Sequence, residues 1–126
     1  MIERDYIMRL VHEIARVLAK ILFNIDSENI SEELESRIEE TDILEQLLGM
    51  IDNGQINEAE NKLYDMLDEG IPNCIEIAIL FYSYLNDQTD EFLKESDYSR
   101  GEVKDGIENV AEKVGLSGLI NTLFVS

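Results

Sequence analysis

Apolar side chains return every three or four positions along almost the whole chain, the period of an α-helix rather than the alternation of a strand. In the first 24 residues Tyr6, Ile7, Leu10, Val11, Ile14, Val17, Leu18, Ile21 and Leu22 fill a broad arc. Arg9, His12, Arg16 and Lys20 follow one another at steps of three, four and four, which lines them up on the opposite side. This predicts one amphipathic helix over residues 1–24, basic on its polar face.

The pattern continues in DSENISEELESRIEETDILEQLLGMIDNG, where Leu34, Ile38, Thr41, Leu44, Leu48 and Ile51 make a stripe. Ser31 is the expected N-cap, Thr41-Asp42 a place where the helix could divide, and Gly54 the stop. A third helix opens with Asn57 and Glu60 at capping-box spacing and ends at Gly70 and Pro72, with Ala59, Leu63, Met66 and Leu67 inward. Asn73 and Glu76 repeat the spacing before CIEIAILFYSYLNDQTDEFLKES, read as one helix whose Ile77, Leu80, Phe81, Tyr84 and Leu85 centre the core. Ser99 and Glu102 form one more box ahead of Val103, Ile107, Val110 and Val114, and SGLINTLFVS forms a short helix docking back. The expectation is a single all-α domain over residues 1–126, a compact bundle of five or six helices with helical hairpins over 31–95 and C-terminal helices over 99–126.

Residues 42–72 carry a finer signal. A helix, a Gly turn, a helix and a Pro follow one another at nearly the spacing of a tetratricopeptide repeat. Ala59 stands five positions after Gly54, where such a repeat needs a small residue, and Leu63 follows at the next bulky site. A further period places Ile77, Leu80, Phe81 and Tyr84 on a matching helix, then fails where Asp97 falls on an apolar position. The reading is a tetratricopeptide-like hairpin inside the bundle.

Charge narrows the partners. The chain of 126 residues has a net charge of -18, yet residues 1–24 hold four basic and three acidic side chains. Nucleic acid is a poor partner for such a surface, because phosphate binding needs Lys and Arg to displace counterions. Cys74 is the single cysteine, which excludes an internal disulfide and fits a reducing, cytoplasmic setting. Charges interrupt the first apolar run, so it reads as neither signal peptide nor membrane span.

Chemistry is sparse. His12 and Cys74 have no orienting third group, and no triad emerges. Gly54, Ile56 and Glu60 fall at the sixth, eighth and twelfth places of a calcium loop, but Gly49 and Ile51 stand where its first oxygen ligands belong. No phosphate-binding glycine loop is present. The sequence therefore implies no catalytic residue, no cofactor and no metal, and the chain is not read as an enzyme.

The opening DYIMRLVHEIARVLAKILF resembles the N-terminus of a family of small, uncharacterised bacterial proteins of all-helical, tetratricopeptide-like build. The likeness rests on Asp5-Tyr6, the Arg that follows, and Leu18-Ala19-Lys20-Ile21-Leu22-Phe23. It implies a helical fold and carries over no site residue. The function expected is protein–protein interaction, as a non-catalytic adaptor or scaffold using a repeat-like groove around Asn53, Gln55, Asn57, Asn61 and Tyr64. The alternative is an acidic decoy or inhibitor that covers a basic surface on a partner protein. For the strip of Arg9, His12, Arg16 and Lys20 three roles are open: a strap against the acidic helices of the same chain, the edge of a homodimer, or a membrane-surface helix. The acidic body argues against the last.

Overall fold

The structure, a computed structural model, describes residues 2–124, with side-chain surroundings from Arg4 onward. Among these residues the chain forms eight helices and no strand: α1 (Ile2–Phe23), α2 (Ile30–Arg37), α3 (Asp42–Asp52), α4 (Ile56–Glu69), α5 (Cys74–Asn86), α6 (Asp90–Glu95), α7 (Arg100–Lys113) and α8 (Ser117–Phe124). The all-α expectation holds, and the count of five or six is corrected to eight. Two breaks account for the difference. Ile38 turns to extended backbone and separates α2 from α3. Thr89, also extended, caps α6 by accepting a hydrogen bond from the Phe92 amide at 3.1 Å. The second break is invisible to periodicity, because Phe92 and Leu93 lie seven and eight residues after Leu85 and keep the helical phase.

Several helix starts also move. α2 begins at Ile30, not after Ser31, because the Ile30 side chain is drawn into the core. α4 begins at Ile56, which is fully buried, so Asn57 lies inside the helix and forms no box with Glu60. Asn73 enters α5 in the left-handed region and its amide donates to Glu76 at 3.0 Å in place of a box. The box at Ser99 and Glu102 is present in both directions. Gly54 and Gly70 take φ of +81° and +68°, a region glycine enters without the strain a Cβ brings; Gly54 makes the turn between α3 and α4, and Gly70 ends α4.

α5 lies at the centre. Ile77 through Tyr82 and then Leu85 and Asn86 are buried all round, and the helix packs on α1, α2, α3, α4 and α7. α1 supplies Leu10, Val11, Ile14, Ala15, Leu18 and Ala19 to the same core and packs on α5 and α7. Tyr6 and Ile21, placed in its apolar arc by the sequence, stay about half exposed at 54% and 48%. The final two residues of the expected terminal helix lie outside the described residues; within them Ile120 is the buried anchor of α8.

Candidate functional site

The short link between α5 and α6 would be a weak point, since the last carbonyls of a helix lack partners. Arg100, first residue of α7, closes it. Its Nη1 donates to the Asn86 carbonyl at 2.7 Å, its Nη2 to the Gln88 carbonyl at 2.5 Å, and its Nε to Asp90 Oδ1 at 3.0 Å. The side chain is only 10% exposed, and a cation at the C-terminus of α5 also meets the negative end of the helix dipole. Asp90 in turn faces Arg4 of α1, Nη1 to Oδ2 at 3.7 Å.

Around this clamp opens a cleft of about 520 Å³, floored by Ile7, Leu93, Tyr98 and Gly101 and rimmed by Arg4, Lys94 and Arg100. A second opening of about 380 Å³, lined by Asn57, Asp97 and Glu102, shares Lys94, Tyr98 and Ser99 with it. The two make one groove. It runs from Arg4 on α1, across the α6–α7 link, to Asn57 on α4. Its first end is cationic around the single carboxylate of Asp90; its second end carries Asp97 and Glu102.

The groove wall is fixed from beneath. Tyr98 is buried and its hydroxyl donates to Glu60 Oε2 at 2.8 Å, while Tyr82 donates to the same oxygen at 2.7 Å and Tyr64 approaches it at 3.4 Å. Three phenols from α4, α5 and the α6–α7 link thus converge on one carboxylate of α4. Burial, and then the charge of Glu60, push the Tyr82 and Tyr98 phenols far above their ordinary value. These hydroxyls act as fixed donors. On the surface, the Asn57 amide donates to the Asp97 carbonyl at 3.1 Å and ties α4 to the turn where Asp97 takes a left-handed φ of 58°.

Of the five residues expected to form a binding surface, Asn57 lines the groove and Tyr64 is turned towards Glu60. Asn53 and Gln55 are exposed around the α3–α4 turn, and Asn61 is exposed on α4. The basic strip is solvent-facing: Arg9, His12, Arg16 and Lys20 are all exposed. Arg16 pairs with Glu13 of its own helix at 2.8 Å, and Lys20 with Asp26 just past its end at 3.2 Å. The Arg16 guanidinium holds the Glu13 carboxyl below its usual range. Arg4, which the strip omitted, is the α1 cation that crosses to another helix, at Asp90.

Sequence reading missed Arg100, Tyr82 and Tyr98. Arg100 had a readable signal, a cation at the first position after a cap, where the helix dipole disfavours it and another partner is implied. Cys74 sits at the start of α5, and burial pushes its thiol up rather than activating it. Among the described residues no group of three His, Cys, Asp or Glu side chains is placed to hold a metal, and no helix is long and apolar enough to cross a membrane.

A model of a family of unknown function, DUF6483, matches residues 1–115. The chain belongs to this family. The match spans α1 to α7 and so takes in the whole Arg4–Asn57 groove. No curated protein and no solved structure matches this DUF6483 chain.

Proposed function

We propose that this DUF6483 protein is a non-catalytic interaction module, a small adaptor or scaffold, that receives a short segment of a partner protein in the Arg4–Asn57 groove. One observation carries the reading: a chain of net charge -18 gathers Arg4, Lys94 and Arg100 at one apolar-floored cleft whose lining holds the single carboxylate of Asp90, with Arg4 also paired to Asp5 at 3.0 Å. The complementary occupant carries an acidic group beside an apolar side chain. The apolar side chain would lie against Ile7, Leu93 and Tyr98, and the carboxylate would meet Arg4 and Lys94. Arg100 is committed to the α5–α6 link and serves mainly as a wall. The α3–α4 hairpin, with Ala59 and Leu63 fully buried, is read as tetratricopeptide-like, and the setting as cytoplasmic.

Display selection of an unbiased peptide library on the full chain tests this. The reading expects peptides pairing an aromatic or aliphatic residue with Asp or Glu. Their affinity should fall about tenfold for Arg4→Glu with Lys94→Glu, and hold for Arg16→Glu with Lys20→Glu. Enrichment of basic peptides whose binding collapses with salt would favour the acidic decoy instead.

A further inference from the structure

A separate cleft of about 210 Å³ lies where the C-terminal end of α5 meets α1 and the start of α2. It shares no lining residue with the Arg4–Asn57 groove. Asn86 lines it, together with Ser83, His12, Asn29 and the two carboxylates of Glu28 and Asp87. Asn86 is 7% exposed. Its Nδ2 donates to the Met8 carbonyl at 2.9 Å, which holds the amide in one orientation against α1. Its Oδ1 is buried and, among the described residues, receives no hydrogen bond. Buried acceptors in native proteins are almost always met by a donor.

The surroundings say what kind of donor. Both acidic side chains at the cleft are exposed, so they add negative potential without the cost of burial. An acceptor without a donor beside two carboxylates suits a group that donates hydrogen bonds and carries positive charge, which is an organic cation. The volume exceeds the roughly 30 Å³ share of one water several times over. Beyond it, through the shared residues Ser31, Ser83 and Asp87, a cleft of about 360 Å³ continues over Leu44, Leu48 and Leu80. A polar acceptor at one end and an aliphatic floor at the other suit a charged head on an apolar stem.

We infer that this cleft binds an organic cation, a guanidinium or ammonium head on an aliphatic stem, whose N–H groups donate to Asn86 Oδ1 beside Glu28 and Asp87. The head comes either from a free alkyl base or from an arginine or lysine side chain of a protein segment. The chemistry is the same in both.

The test is a ¹⁵N NMR titration of the full chain with butylguanidinium, with neutral butylurea, and with a capped Gly-Arg-Gly peptide. Butylguanidinium should shift the Asn86 side-chain amide and the amides of residues 28–31 saturably. Butylurea should bind at least about tenfold more weakly, and Glu28→Gln with Asp87→Asn should weaken butylguanidinium about tenfold. Those two positions are exposed, so the variant keeps the fold. Tighter binding of the peptide assigns the site to a protein side chain, and tighter binding of butylguanidinium to a free base; either supports the cation site. Equal binding of butylurea, indifference to the double variant, or unsaturable shifts spread over the acidic surface would each overturn it.

Discussion

Tyr82 of α5 lies against Gly106 of α7 so closely that a Cβ on Gly106 would fall 2.1 Å from the ring Cε1. The ring has no room to retreat. Tyr82 is fully buried, and its hydroxyl is held by Glu60 at 2.7 Å. Gly106 therefore permits the close approach that brings a phenol from the central helix to the carboxylate of α4.

Gly106→Ala sets two effects against each other. Alanine improves helix propensity by about 1 kcal/mol. Forcing a methyl into an occupied core costs about 1–3 kcal/mol or more. With Tyr82 immobile the cost lies at the upper end of that range, about 3 kcal/mol, and after the gain of about 1 kcal/mol urea unfolding should show a net loss of about 2 kcal/mol. Unchanged or raised stability would mean that α5 and α7 are not in contact at this point.

The phenols give stability a defined alkaline dependence. An unfolded chain releases tyrosine protons near pH 10. Tyr82 and Tyr98 keep theirs in the folded state, since burial and Glu60 raise them. The folded state then binds more protons above pH 10, and stability falls as pH rises. Two such groups give a slope of about 2.7 kcal/mol per pH unit, absent below pH 9. Replacing both by Phe should flatten it. Absorbance titration should find both phenols silent until the chain unfolds.

Arg100 is expected to matter more than a surface ion pair. Two of its three bonds go to the Asn86 and Gln88 carbonyls, which among the described residues receive no backbone N–H, and hydrogen bonds to a charged donor are worth about 1.5–3 kcal/mol each. Arg100→Ala should cost about 3 kcal/mol, and Arg100→Lys about half that, because a compact ammonium lacks the planar fork that reaches three spread acceptors. Hydrogen exchange should speed up selectively at residues 86–90. Stability unchanged within 0.5 kcal/mol, the usual range for surface substitutions, would contradict the clamp.

The cap of α6 makes a smaller, local prediction. Thr89→Ala removes the acceptor for the Phe92 amide and should cost about 1 kcal/mol. Thr89→Ser should cost far less. Equal losses from both would mean that the hydroxyl is not the cap.

The buried stripes of α1, α3, α4, α5 and α7 were legible because burial imposes the 3.6-residue period directly. Leu10, Leu44, Leu63, Phe81 and Ile107 all lie inside, while on α3 the buried place expected of Leu48 is taken by Leu47. Helix starts were less so: Asn57 and Ser31 have the chemistry of caps, but burial of the preceding Ile56 and Ile30 moved the boundary back. The α5–α6 break was hidden by a phase that happens to persist, although Thr89 before Asp90-Glu91 was a readable cap. Of the groove only Asn57 was legible. Arg4, Lys94 and Asn57 are far apart in sequence, and only the packing of α1 and α7 around α5 brings their neighbourhood together.

The most direct measurement is an NMR map of the full chain with three small probes sharing one apolar ring: phenylpropionate, phenylpropionamide and phenethylammonium. The account predicts saturable shifts from phenylpropionate at Ile7, Leu93, Tyr98 and Gly101, little from the amide, and none there from the ammonium. Shifts from the ammonium in that groove, or none from phenylpropionate at Gly101, would contradict a cation-rimmed docking site.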